Sequence, residues 1–169
     1  AANMQYDGRF EIATFEEILQ LLEAHGAKSG KRIGVYPETK HPGYFNALGM
    51  GHDEPMLKLL KQYGYDDKDD PVFIQSFEVG NLKALARKTD VRLVQLVASE
   101  GGPPDLAGQS YASMVTAAGL KDVATYAVGI GPSKDMVIGR NAIGQLGEPT
   151  GLVEAAHKAG LMVHPWTFR

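Results

Sequence analysis

Short runs of β-branched and apolar residues alternate with stretches of helical periodicity along most of the chain, and this alternation constrains the fold more than any other feature. Arg32 to Pro37, Pro71 to Ser76, Val91 to Val97, Thr125 to Gly129 and Leu161 to Thr167 read as strands. Between and before them, apolar residues recur at i, i+3, i+4, i+7 in Met56/Leu59/Leu60/Tyr63, Tyr111/Met114/Val115/Ala118 and Leu152/Ala155/Ala156/Ala159, with Gly64, Gly119 and Gly160 supplying stops. Thr14 to Glu17 predicts a capping box ahead of Phe15/Ile18/Leu19/Leu22, and Val79/Leu82/Leu85/Ala86 marks a further helix. Strands separated by helices need crossover connections, so the sheet is parallel. It is either an open doubly wound sheet or part of a closed (β/α)8 barrel. A complete barrel takes roughly 200 to more than 400 residues, so a chain of 169 residues falls short of eight standard units.

The glycine and proline positions predict loops at Glu100 to Asp105, at Gly129-Ile130-Gly131-Pro132 and from Gly139 to Gly147. No repeat, low-complexity tract or linker divides the chain, and 1–169 reads as one domain. With 44% apolar and 22% charged residues the composition is that of a globular domain. The absence of cysteine excludes disulfides and thiolate metal sites. A net charge of −3 with mixed signs gives no electrostatic footprint for nucleic acid or an anionic membrane. The apolar runs are shorter than the roughly 20 residues of a membrane span, and no leader-like segment opens the sequence, so a soluble protein is expected.

Tyr36-Pro37-Glu38-Thr39-Lys40 falls at the end of the first expected strand, where parallel α/β folds build their sites. In extended chain Glu38 and Lys40 share a face with Cα atoms about 7 Å apart. Such a pair suits a carboxylate ligand for a hard cation beside an ammonium for a phosphate oxygen, and equally suits a solvated ion pair. Gln75 and Phe77 lie on one face of the second strand. Gln95, inside Leu93-Val94-Gln95-Leu96-Val97, must find partners, in a core network or on a ligand. Trp166 closes the last strand as core or as a substrate wall. The five histidines show no zinc-ligand spacing, and neither a nucleophile elbow, a phosphate loop nor a dinucleotide fingerprint occurs.

Taken together, Asp7-Gly8-Arg9-Phe10 to Thr14-Phe15-Glu16-Glu17, Ile33 to Lys40 and Phe73-Ile74-Gln75-Ser76-Phe77 resemble the glycerophosphodiester phosphodiesterase family. Leu93 to Leu96, Gly129 to Pro132 and Ala159 to Arg169 extend the resemblance in the same order, closest to the long, often exported bacterial branch. The resemblance implies an α/β fold of the (β/α)8 TIM-barrel type, here an incomplete barrel of about five parallel strands, the family's strands three to seven. It implies metal-dependent hydrolysis of small-molecule glycerophosphodiesters to glycerol 3-phosphate and an alcohol, with Ca2+ or Mg2+ as the divalent cation. Glu38 matches a metal-holding carboxylate, Lys40 the basic residue beside it, Gln75 and Gln95 polar positions at the barrel mouth, and Trp166, with Phe77, an aromatic wall near the organic part of the substrate. The family's H-R-G strand, its E-x-D metal pair and its second catalytic histidine have no match. The catalytic residues are therefore unassigned, and this chain alone is expected to bind metal weakly and turn over little. Periplasmic or extracellular localisation follows from the same branch.

A second expectation of a different class is a non-catalytic remnant that binds a partner or forms a homo-oligomer through its open sheet edges. A third, an unrelated open α/β domain, requires a strand order with a reversal point.

Overall fold

A computed structural model describes residues 4–168 of the chain. Thr14 opens helix α1 (Phe15–Ser29) as its spacing predicts: its hydroxyl accepts the Glu17 N–H at 3.2 Å and the Glu17 carboxylate accepts the Thr14 N–H at 2.7 Å. Gly30, at φ 69°, ends it in the left-handed conformation that glycine adopts without strain.

The elements that follow are β1 (Glu38–Thr39), α2 (Pro42–Ala47), α3 (Asp53–Gln62), β2 (Phe73–Ser76), α4 (Val79–Leu85) and β3 (Arg92–Val97). Then come α5 (Tyr111–Met114), α6 (Ala117–Val123), β4 (Gly129–Pro132), α7 (Lys134–Val137), β5 (Ile138–Arg140), β6 (Leu146–Pro149), α8 (Leu152–Lys158) and β7 (Met162–Val163). Strands β1, β2, β3, β4 and β7 pair in that order, all parallel, in one five-stranded sheet. The order is sequential with no reversal point, which removes the doubly wound alternative.

Alternation along β2 sorts the two faces. Val72, Ile74 and Ser76 are buried under helices, while Phe73, Gln75 and Phe77 are half-buried on the other face. The helix-covered face packs Ile74, Leu93, Ile130 and Leu161 against Leu19, Leu60, Leu82, Leu85 and Leu120, each at most 3% exposed.

Four local expectations are corrected. The fourth strand lies at Gly129–Pro132, and Thr125 to Val128 instead complete a turn after α6, with Tyr126 and Ala127 N–H groups donating to the Val123 carbonyl. The glycines there serve close approach: a Cβ at Gly129 would lie 3.0 Å from the Met162 carbonyl oxygen, and one at Gly131 would lie 2.6 Å from Leu96 Cδ2. The stretch around Tyr111 to Gly119 is two short helices, because Thr116 takes an extended conformation and caps α6 by accepting the Gly119 N–H at 3.1 Å. Residues 139–147 fall within the antiparallel β5–β6 hairpin and its turn, where the Asn141 side chain accepts the N–H groups of Ile143 and Gln145. The first strand extends further than Pro37, since the ladder proper is Glu38–Thr39, preceded by a single bridge from Val35 to Val72.

Candidate active site

The register of the sheet places the residues that matter. Glu38 pairs with Gln75, and Thr39 pairs with Ser76, which pairs in turn with Gln95. Paired positions in a parallel sheet point to the same side, so Glu38 and Gln75 share the open face while Thr39, Ser76 and Gln95 share the helix-covered one. At the C-terminal ends of the strands, Glu38, Lys40, Gln75, Phe77 and Trp166 line one cleft of about 300 Å³, completed by Leu96 and Thr167.

Within the cleft the Lys40 ammonium donates to the Glu38 carboxylate at 2.8 Å, with Lys40 70% exposed and Glu38 23% exposed. Phe77 and Trp166 meet edge to face at 5.9 Å between ring centres. The indole N–H of Trp166 donates to the Gly131 carbonyl at 2.8 Å, which fixes the ring against β4.

Behind this face runs a buried polar brace. The Thr39 hydroxyl donates to Asn81 Oδ1 at 2.7 Å, and Asn81 Nδ2 donates to the Asp53 carboxylate at 2.8 Å, tying β1 to α4 and α3. Gln95 belongs to the same layer, which corrects its expected place at the mouth. It is fully buried. Its amide nitrogen donates to the Ser76, Phe77 and Leu96 carbonyls, and Tyr126 OH donates to its oxygen at 3.0 Å. An amide satisfied on every side holds the backbone of Phe77 and touches no ligand.

The sequence reading missed Glu78 and Tyr111. Glu78 is 5% exposed and its Oε2 accepts the Gly43 N–H at 2.9 Å, joining the end of β2 to the start of α2. A second chamber of about 290 Å³ lies beside the first and shares Glu38, Lys40 and Phe77 with it; Glu78, Pro104 and Tyr111 form its far side. Burial, and then the Asp105 and Glu78 carboxylates, push the Tyr111 hydroxyl above its ordinary pKa. The acidic residue following Ile74-Gln75-Ser76-Phe77 was the available signal, since it sits where the strand alternation turns a side chain under the helices. Tyr111 opens α5, distant in sequence from β1 and β2, and its helical spacing marked it only as a core position.

His164 lies deeper on the open face, with Nδ1 2.9 Å from Tyr36 OH and its ring edge to face with Phe73. Burial, and then the Arg92 charge, hold it below the usual histidine pKa, while burial pushes Tyr36 up to about 12. Among the described residues no cluster of three or more His, Cys, Asp or Glu side chains could hold a metal ion. Glu38 alone does not fit a hard divalent cation that takes six or more oxygen ligands, and Lys40 already occupies one of its oxygens.

The family model for the glycerophosphoryl diester phosphodiesterase family matches residues 2–169. The chain belongs to that family. Among its relatives, a glycerophosphodiester phosphodiesterase of Arabidopsis thaliana is 32% identical over 179 residues, covering 99% of this chain and 47% of that protein. One from Haemophilus influenzae is 31% identical over 183 residues, covering 97% of this chain and 49% of its own length. The chain thus spans about half the length of the curated relatives it matches. A solved structure from Silicibacter pomeroyi carrying the same family name superimposes with a TM-score of 0.59 at 19% identity, over 89% of this chain and 46% of that one. The phosphodiesterase family neighbours are TIM barrels, and the sequential parallel sheet is an incomplete barrel of that type. The cleft residues sit at its C-terminal rim, where barrel enzymes carry their chemistry. Among the described residues, no helix is long and apolar enough to cross a membrane.

Proposed function

We propose that this chain contributes the phosphate-binding part of a glycerophosphodiester phosphodiesterase, which hydrolyses a glycerophosphodiester to glycerol 3-phosphate and an alcohol. The observation that carries the reading is the convergence of Glu38, Lys40, Gln75, Phe77 and Trp166 on one rim cleft. Lys40 presents three N–H donors to the anionic phosphate, and the Glu38 carboxylate holds that ammonium in place until substrate arrives. Phe77 and Trp166 offer apolar faces to the glycerol or alcohol carbons. In the reaction a water oxygen joins phosphorus, one P–O bond breaks, and the departing alkoxide takes a proton.

The family is generally divalent-cation dependent. A Ca2+ or Mg2+ ion would draw one ligand from Glu38, with the remaining oxygens supplied from outside the described residues. Resemblance to the exported bacterial branch supports a periplasmic or extracellular location.

Self-association is a second reading. Among the described strands, β1 pairs only with β2 and β7 only with β4, so the two sheet edges offer unpaired backbone groups. Sedimentation of the purified chain at several concentrations distinguishes a monomer from a self-completed assembly.

Trp166 is the sole tryptophan, so its fluorescence reports directly on the cleft. Titration with glycerol 3-phosphate is expected to change its emission saturably. A flat response up to millimolar ligand would remove phosphate binding from this cleft.

A further inference from the structure

We propose that the end of the molecule carrying the cleft docks on a phospholipid surface, with the cleft facing the headgroups. Three separate segments supply the contact. Tyr44, Leu48 and Met50 follow β1, Ile143 and Leu146 stand in the β5–β6 hairpin that follows β4, and Phe168 follows β7, each more than half exposed. All three segments leave the C-terminal ends of parallel strands, so they flank the cleft. The opposite end differs. In the segments that lead into β2, β3, β4 and β7, Val128 is the sole exposed large apolar side chain among the described residues, while Asp66-Asp67-Lys68-Asp69 and Arg87-Lys88 are exposed charges.

Folding gives these apolar tips no reason to be apolar. The hairpin turn closes with the Gly144 N–H donating to the Asn141 carbonyl at 2.9 Å, and Gly49, at φ 72°, turns the chain between Leu48 and Met50. Turn positions of this kind are ordinarily taken by Gly, Asn, Asp or Ser. Ile143 occupies one at 78% exposure, where its side chain adds nothing to the core. Apolar side chains gathered at one end of a molecule mark a contact surface.

The chemistry of the hairpin selects lipid as the partner. Leu146, Phe168, Val137 and Pro165 wall an apolar hollow of about 310 Å³, and Lys134, Asp135 and Arg140 line it too. Hydrocarbon against the apolar wall and phosphate oxygens on the ammonium and guanidinium are the two halves of a phospholipid. A rigid protein face would have to match knobs on three independent segments, whereas a bilayer surface deforms around them. A net charge of −3 with mixed signs supplies no attraction to an anionic membrane, so insertion of the apolar tips provides the binding.

The docking does not rest on the phosphodiesterase reading, since it needs neither turnover nor glycerol 3-phosphate. The 169-residue chain is floated with phosphatidylcholine vesicles at low and high salt. Co-flotation that persists at high salt is expected, with the bound fraction falling at least fivefold when Leu48→Asp and Ile143→Asp are combined. Leu21→Asp, an equally apolar loss on the outer face of α1, should leave it unchanged. If the double variant loses its native circular dichroism, Leu146→Ser with Phe168→Ser takes its place under the same criterion. A nitroxide on the lipid headgroup should quench Trp166, which lines the cleft. No co-flotation, binding confined to anionic vesicles and lost in salt, or an equal loss in Leu21→Asp overturns the proposal. So does an unquenched Trp166 in the vesicle-bound chain. Self-association in sedimentation that the double variant abolishes, without flotation, also overturns it and assigns the tips to a second copy. Flotation without any response of Trp166 to glycerol 3-phosphate supports the docking and sinks the phosphodiesterase reading.

Discussion

Glu38 on β1 and Gln75 on β2 stand opposite one another in the parallel ladder, both on the open face of the sheet, and Lys40 reaches back to the Glu38 carboxylate at 2.8 Å. The ion pair is exposed enough to contribute little stability, so its residues are available to a ligand at small folding cost.

Lys40→Met should therefore fold normally yet weaken glycerol 3-phosphate binding by about tenfold or more, the loss of one charge-assisted hydrogen bond. Lys40→Arg should recover most of it. Trp166 emission measures both, and unaltered affinity in Lys40→Met would take the ammonium out of phosphate recognition.

Tyr126→Phe strips the only donor from Gln95 Oε1 among the described residues, in a site from which water is excluded. A cost of about 1–3 kcal/mol is expected, read as a lower urea midpoint at constant slope. Since Gln95 holds the Phe77 carbonyl, the same variant should also weaken ligand binding in the cleft without touching it.

Gly119 sits inside α6, where alanine ordinarily stabilises a helix by about 1 kcal/mol. Here a Cβ would meet the Met114 carbonyl oxygen at 2.5 Å, backbone that cannot swing aside. Gly119→Ala should reverse the usual sign and destabilise by about 1–3 kcal/mol; a stabilised variant in thermal unfolding would disprove the close crossing of α5 and α6.

His164 is held below the usual histidine pKa by burial and then by Arg92, with the Tyr36 hydroxyl 2.9 Å from its Nδ1. The unfolded chain therefore binds more protons here than the folded one. This contribution is complete above the unfolded value near 6.5 and is lost as pH falls from there through the lower folded pKa. Denaturation midpoints of the unmodified chain should drop across that window more steeply than those of His164→Phe. Parallel curves would show that the imidazole titrates alike in both states.

Much of the architecture was legible because it is encoded locally: the capping box at Thr14, the glycine stops at Gly64 and Gly160, and the β-branched runs around Ile74 and Val94. What escaped depends on contacts distant in sequence. Gly129 to Pro132 reads as a loop until Leu96 and Met162 come to lie where its side chains would be. Thr116 fits the helical spacing until its hydroxyl is seen to cap. Glu38, Lys40, Gln75, Phe77 and Trp166 stood out as candidates near strand ends and the structure brings them to one cleft, whereas for Gln95 the run Leu93 to Val97 left a core network and a ligand contact equally open and only the resemblance placed it at the mouth; alternation turns it under the helices toward Tyr126.

The polar brace from Thr39 through Asn81 to Asp53 carries a consequence for how the rim is built. Sliding β1 by one residue against β2 would swing Glu38 beneath the helices and push Thr39 outward. Because Thr39 is latched to two helices, it acts as a pawl against that slip, and the chemistry at the surface is kept in phase by a hydroxyl that never meets solvent.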